Sequence, residues 1–150
     1  MRQRGFEFVT GWEERATLPE RHTGQSAGYD LAAAQALDIA PGETAFVPTG
    51  VKAYMQPDEV LEVHIRSSLA VKRCLVLMNS VGIIDADYYG NADNEGHIFV
   101  ALYNGGRTTQ HIAAGERVAQ GIFVKYLTVD GDTAGEGAAR SGGFGSTGRQ

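Results

Sequence analysis

The chain has 150 residues, 43% of them hydrophobic and 21% charged, the balance of one globular domain long enough to bury a core. Its net charge of −5 gives no general basic footprint, which argues against nonspecific nucleic-acid binding and leaves an anionic ligand to local arginines, backbone N–H groups or a metal ion. No apolar stretch approaches membrane-spanning length and the N-terminus MRQRGFEF has no signal-peptide core, so a cytoplasmic protein without membrane contact is expected.

Helical periodicity is nearly absent, and short strand-like runs recur between Gly, Pro, Asn and Asp punctuation. FEFV is the first of these runs, and AGYDLAAA follows, with Gly28 and Asp30 flanking Tyr29. Pro41-Gly42 predicts a turn before ETAFVPTGVKAYM, and Pro57-Asp58 another before EVLEVHIR. In EVLEVHIR, Val60, Glu62 and His64 alternate with Leu61, Val63 and Ile65, the pattern of a strand with one buried face. His64 then reads as a surface or satisfied sheet residue. In IRSSLAVK the best helical candidate covers residues 67–72. Arg66, Ser67 and Ser68 there offer either a phosphate grip or a serine helix cap beside an exposed arginine. Cys74, the single cysteine, excludes an intrachain disulfide, and its place in CLVLM predicts a small buried hydrophobe.

NSVGIIDADYYGN is the segment richest in chemistry. Residues 81–84 read as a strand, followed by Asp85 and Asp87, two tyrosines and a Gly-Asn turn. Asp85 either caps that turn or, partly desolvated at the end of an apolar strand, orients and deprotonates a water. HIFVALYN and RVAQGIFVKYLTV are two further strands, the second interrupted by Gln120, whose amide needs partners or faces a ligand. His22, His64, His97 and His111 show no metal-ligand spacing, so no zinc site is expected. From about Asp130 the composition shifts. Seven of the twenty glycines fall in residues 130–150, predicting a body over 1–129 and a flexible tail over 130–150. Gly143, Gly145 and Gly148 have the G-x-G-x-x-G spacing, but no strand precedes them and no helix can follow, so the dinucleotide loop is excluded. Phe144 amid these glycines argues that the tail docks. The whole pattern predicts an all-β, sandwich- or barrel-like domain.

Taken in order, AGYDLAAA, RSSLAVK, GIIDADYYGN, GERVAQGIF and GGFGSTG resemble the five motifs of the homotrimeric dUTPase family, across residues 27 to 148. The resemblance implies a jelly-roll-like distorted β-barrel in a trimer, with three sites at subunit contacts. It implies hydrolysis of dUTP to dUMP and pyrophosphate, limiting uracil in DNA and supplying dUMP, with Mg²⁺ bound on the triphosphate. Carried over by motif, Asp85 orients the attacking water and Tyr88 lies against the deoxyribose, excluding a 2′-hydroxyl. Asn79 and the hairpin backbone of Gly82, Ile83 and Ile84 read the uracil. Arg66, Ser67, Ser68 and Gln120 hold phosphates, and Asp30 supports the metal's water shell or the scaffold. Arg117 is expected in a structural ion pair. In the tail, Phe144 stacks on uracil while Arg140, Gly145 and Ser146 reach the phosphates, making residues 130–150 a lid. Ordering roughly ten residues costs on the order of 10 kcal/mol, so uracil, phosphates and backbone must act together to close it.

Three departures from the family pattern stand out. Ser68 occupies a position that is glycine in many members, and Arg140 lies one residue closer to GGFG. The loop NADNEGH after Gly90 is about six residues longer than a common form, which raises the alternative of a trimeric binding protein using residues 91–96 for a protein partner. The related dCTP deaminases carry a catalytic Glu where this chain has Ala101, which disfavours deamination.

Overall fold

The computed structural model describes residues 1–134 and 142–144. The alternation in EVLEVHIR becomes the central strand β6 (Glu59–Ile65). Leu61 and Val63 face the core at 0% and 3% exposure, while Glu62 and His64 pair with each other across 3.0 Å on the other face. Burying a leucine in this way stabilises the fold by about 1.5–3 kcal/mol.

Among the described residues, ten further strands accompany β6: β1 (Gly5–Phe8), β2 (Tyr29–Ala32), β3 (Leu37–Ile39), β4 (Thr44–Pro48), β5 (Val51–Tyr54), β7 (Leu75–Leu77), β8 (Gly82–Asp85), β9 (Phe99–Asn104), β10 (Gln110–Ile112) and β11 (Arg117–Lys125). All pairings are antiparallel, in the orders β2-β11-β6-β8, β4-β9-β7, β1-β5 and β10-β3. These sheets wrap one apolar cluster that includes Leu31, Ile39, Val47, Leu75, Leu102 and Ile112. The all-β expectation therefore holds, as four sheets around a common core. Among the described residues, no helix is long and apolar enough to cross a membrane.

Several boundaries differ from the sequence reading for identifiable reasons. ETAFVPTGVKAYM divides into β4 and β5, because Gly50 turns the chain with φ 71° and a positive φ cannot continue a strand. The three- and four-residue strands β2, β3 and β10 carry too few residues for an alternation to be read. The strand expected over 81–84 is displaced by one residue, so Asp85 ends β8 as the partner of Val60. Helix α1 runs Ser67–Arg73. Cys74 is exposed, not buried: it terminates α1 in the left-handed conformation, φ 54°, where its N–H bonds to the Leu69 carbonyl. That C-cap role turns the thiol away from the core that Leu75 enters at 0% exposure.

Candidate active site

Strand register assembles the first part of the site. Asp30, Gln120 and His64 are partners across β2, β11 and β6, so their side chains emerge on one face. Beside them, β6 ends and α1 begins. A trough of about 260 Å³ forms there, with Gly28, Asp30, Arg66, Ser67 and Gln120 in its walls together with His22, Ser26 and Arg117. The N-cap of α1 is Arg66, in extended backbone with no side-chain capping bond. The serine-cap alternative therefore fails. Ser67 and Ser68 fall inside the first helical turn, where Ser67 reaches the trough and Ser68 stands outside its lining. The Gln120 amide lies over the Gly28 backbone, so closely that a side chain at Gly28 would overlap it.

Arg117 occupies the trough wall as an ion-pair partner, as expected. One of its terminal nitrogens stands 3.3 Å from the Asp30 carboxylate and 3.5 Å from His22 Nδ1. The donors Arg66, Ser67 and Gln120 with one carboxylate form a surface suited to a polyanion carrying its own cation. Among the described residues, no three His, Cys, Asp or Glu side chains gather as a metal cluster.

A second, more apolar cavity of about 270 Å³ opens on the far side of β8. Gly82, Ile83 and Ile84 line one side of it, with Asn79, Tyr88 and Phe99 adjoining them. Gly82 packs against Val63, to which a β-carbon would approach within 3.1 Å, so the strand presents backbone there without a side chain. Ala101 also lines this cavity. Residues 142–144 return over the opening. Gly143 lies on the Tyr88 ring, and Phe144 meets Phe46 edge-on with centroids 5.4 Å apart. Phe144 thus touches Phe46 while remaining 67% exposed. Arg140, Gly145 and Ser146 lie outside the described residues.

Tyr88 is held at 5% exposure by bonds at its far end. Its hydroxyl donates to the His97 carbonyl at 2.6 Å and accepts from Asn94 Nδ2 at 2.8 Å. His97 lies between Trp12 and Phe99, at centroid distances of 4.9 and 4.2 Å, and its Nε2 accepts the Gly50 N–H. Burial pushes the His97 pKa down to about 4, with Glu95 opposing the fall. The imidazole is therefore neutral at ordinary pH.

Asp85 is half-buried at the end of β8. It precedes the short 3₁₀ turn Ala86–Tyr88, which its carboxylate does not cap. Its partner on β6 is Val60, whereas Gln120 sits opposite His64. Four residues of strand separate these levels by about 13 Å. One chain therefore brings the expected site residues together as two groups. Arg66, Ser67 and Gln120 share the trough, which Ser68 does not line, while Asn79, Gly82, Ile83, Ile84, Tyr88 and Phe144 share the apolar cavity.

Sequence reasoning missed His22 and Ser26 in the trough and Phe46 beneath Phe144. The polar run ERHTGQS before Ala27 was the available signal for the first two. Phe46 gave none, since its 56% exposure contradicts the burial expected of an aromatic residue in a strand.

A family model for dUTPase matches residues 14–148. The chain is 52% identical over 149 residues to the deoxyuridine 5′-triphosphate nucleotidohydrolase of Lactococcus lactis subsp. lactis (strain IL1403), covering 99% of each. It is 40% identical to the enzyme of that name from Laribacter hongkongensis (strain HLHK9), covering 88% of this chain and 89% of the relative. Among solved structures, the Streptococcus mutans dUTPase superposes with a TM-score of 0.82 at 51% identity, covering 85% of this chain and 99% of that one. A mutant dUTPase from phage phi11 of S. aureus, described as coordinating a structural Mg(II) ion, shares the fold with a TM-score of 0.73 at 21% identity, covering 89% and 97%.

Proposed function

This chain belongs to the dUTPase family, and from that premise we propose that it hydrolyses dUTP to dUMP and pyrophosphate. One observation supports this reading most directly. A cavity lined by Gly82, Ile83 and Ile84 of β8 with Tyr88 and Phe144 suits a flat pyrimidine on a deoxyribose.

In this reading the N–H and C=O groups of Gly82 to Ile84, with Asn79, read the uracil edge. Cytosine exchanges acceptor for donor at position 4 and would leave buried groups unpaired. Tyr88 packs on the sugar. Arg66, Ser67, Ser68 and Gln120 hold the phosphates, offsetting the chain's net charge of −5, whose long-range repulsion is screened beyond roughly 8–10 Å. Asp85 accepts a proton from water as the water oxygen bonds to the α-phosphorus. The bond from that phosphorus to the bridging oxygen then breaks, and pyrophosphate leaves with the electron pair. Asp30 stands where it could meet the water shell of Mg²⁺ carried on the triphosphate, and that ion supplies charge neutralisation to the leaving group.

The separation of Asp85 from the trough supports a homotrimer in which each site takes its parts from more than one subunit. Residues 130–150 act as a lid, Phe144 closing on the uracil and Arg140, Gly145 and Ser146 on the phosphates. A cytoplasmic location is proposed on the sequence reading. The test offers the protein dUTP, dCTP and dTTP with Mg²⁺ and follows pyrophosphate and ammonia. Pyrophosphate from dUTP alone is expected. Ammonia from dCTP would overturn the proposal in favour of deamination, and no product at all would leave a binding protein.

A further inference from the structure

The residues after Gly90 turn inward and take hold of Tyr88 at both ends. Asn91, 6% exposed, donates from Nδ2 to the Tyr88 carbonyl at 2.7 Å and to Asn94 Oδ1 at 2.8 Å. Its own Oδ1 accepts the N–H groups of Asp93 and Asn94 at 2.9 and 3.0 Å. Asn94 Oδ1 accepts the Gly96 N–H at 3.0 Å as well, which fixes the amide so that Nδ2 points at the Tyr88 hydroxyl, 2.8 Å away. That hydroxyl has one proton, which it gives to the His97 carbonyl at 2.6 Å. The Asn94 donor thus complements the oxygen's lone pair and does not compete for the proton.

A phenol held by one hydrogen bond can still swing about it; a second bond from another direction removes that freedom. The Tyr88 ring also lines the apolar cavity. We propose that Asn94 is a specificity-determining positioning residue, holding the Tyr88 ring where a ribose 2′-hydroxyl would collide with it. The extra loop length then serves discrimination against UTP from inside the site. This inference rests on the reading of the cavity as the place of uracil and deoxyribose.

Asn94→Asp is the appropriate variant, because it keeps the acceptor for Asn91 and Gly96 and replaces the donor to Tyr88 by a charged oxygen that can only accept, so the phenol proton must leave the His97 carbonyl or face a lone pair. The experiment measures kcat/KM for dUTP and UTP in the wild type, Asn94→Asp, Tyr88→Phe and the double variant. Losing one such bond should lower the dUTP-to-UTP preference by about two- to tenfold, with a smaller change on dUTP than on UTP. In the Tyr88→Phe background, where the hydroxyl is already gone, Asn94→Asp should change the preference no further. A preference that stays fixed while both rates fall in step would overturn the proposal, and so would an undiminished effect in the Tyr88→Phe background. Should Asn94→Asp not fold, Tyr88→Phe removes the Asn94 bond together with the one to the His97 carbonyl, and an unchanged preference there is equally fatal. A wild-type protein that leaves dUTP intact would instead sink the functional reading itself.

Discussion

Gln120 lies over Gly28 so that its amide occupies the space a β-carbon would fill. Gly28 has no positive φ, so its backbone tolerates alanine, and the obstacle is the neighbouring side chain alone. The obstructing atoms belong mainly to the movable end of Gln120. Gly28→Ala should therefore cost little stability, under about 1.5 kcal/mol, while turning the amide out of the trough. A lost hydrogen bond to a charged phosphate lowers affinity by about tenfold or more. Steady-state kinetics should show KM for dUTP rising by that factor with the melting temperature down only a few degrees. A variant with wild-type KM would detach Gln120 from phosphate binding.

His97 makes the fold sensitive to acid. Its pKa is about 4 in the folded chain against about 6.5 when unfolded. The unfolded state therefore takes up the proton first as pH falls. The stability from a neutral His97 is fully present above about pH 6.5, declines through the interval below it, and is lost by about pH 4. Its size is roughly 3 kcal/mol. Urea unfolding at several pH values should show this slope, and His97→Gln should flatten it. A wild-type curve level between pH 6.5 and 4 would contradict the assignment. Protonation at Nε2 also removes the acceptor for Gly50 N–H, so the turn between β4 and β5 is the place to expect local opening.

The sequence disclosed those parts of the site that depend on short-range chemistry. Arg66 at a strand-to-helix junction, Asp85 at the end of a strand and Gln120 inside an apolar run each broke a local pattern, and each lies where its strand or helix boundary put it. Three kinds of feature were not legible. Cys74 looked buried because its neighbours are apolar, but the αL conformation that ends α1 is a backbone event with no glycine to announce it. The hold of Asn94 on Tyr88 depends on a loop folding back on itself, which residue spacing does not encode. The separation of Asp85 from the trough follows from the β6 register with both β8 and β11, a nonlocal pairing that no single motif contains.

Glu59 is the buried carboxylate on which the N-terminal segment is anchored. It is 4% exposed, accepts the Gln56 N–H at 2.8 Å and receives Arg4 Nε at 2.7 Å. The Arg4 bond is the chief reason its pKa falls below the usual carboxylate value, against the opposing effect of burial. Its contribution to stability is therefore present above the unfolded pKa and lost as pH drops through the lower folded value. Arg4→Ala strands the charge and should lower the denaturation midpoint at pH 7. Adding Glu59→Gln to that variant should recover part of the loss, because the stranded charge goes with it. Denaturant unfolding of the two single variants and the double one measures the coupling. Strict additivity would show that the pair does not act as a unit.

The last prediction concerns the distance between Asp85 and Arg66. In one chain Asp85 stands opposite Val60, at the other end of β6 from the Arg66 junction, so neither residue can complete the other's group. If a site takes its water-orienting carboxylate from one subunit and its phosphate donors from another, two inactive variants can repair each other. Asp85→Asn should bind nucleotide and turn over none, and Arg66→Ala should bind weakly and turn over little. If the chain is a homotrimer, the two variants unfolded together and refolded at equal concentrations form mixed trimers. A site is then intact when the subunit supplying Asp85 is the Arg66→Ala chain and the one supplying Arg66 is the Asp85→Asn chain. Random assortment predicts about a quarter of wild-type activity. Mixing without unfolding leaves the trimers unexchanged and should restore nothing. Refolded mixtures as inactive as their parents would place both groups in one subunit, requiring β8 to move toward the trough by about 13 Å, farther than a packed sheet permits.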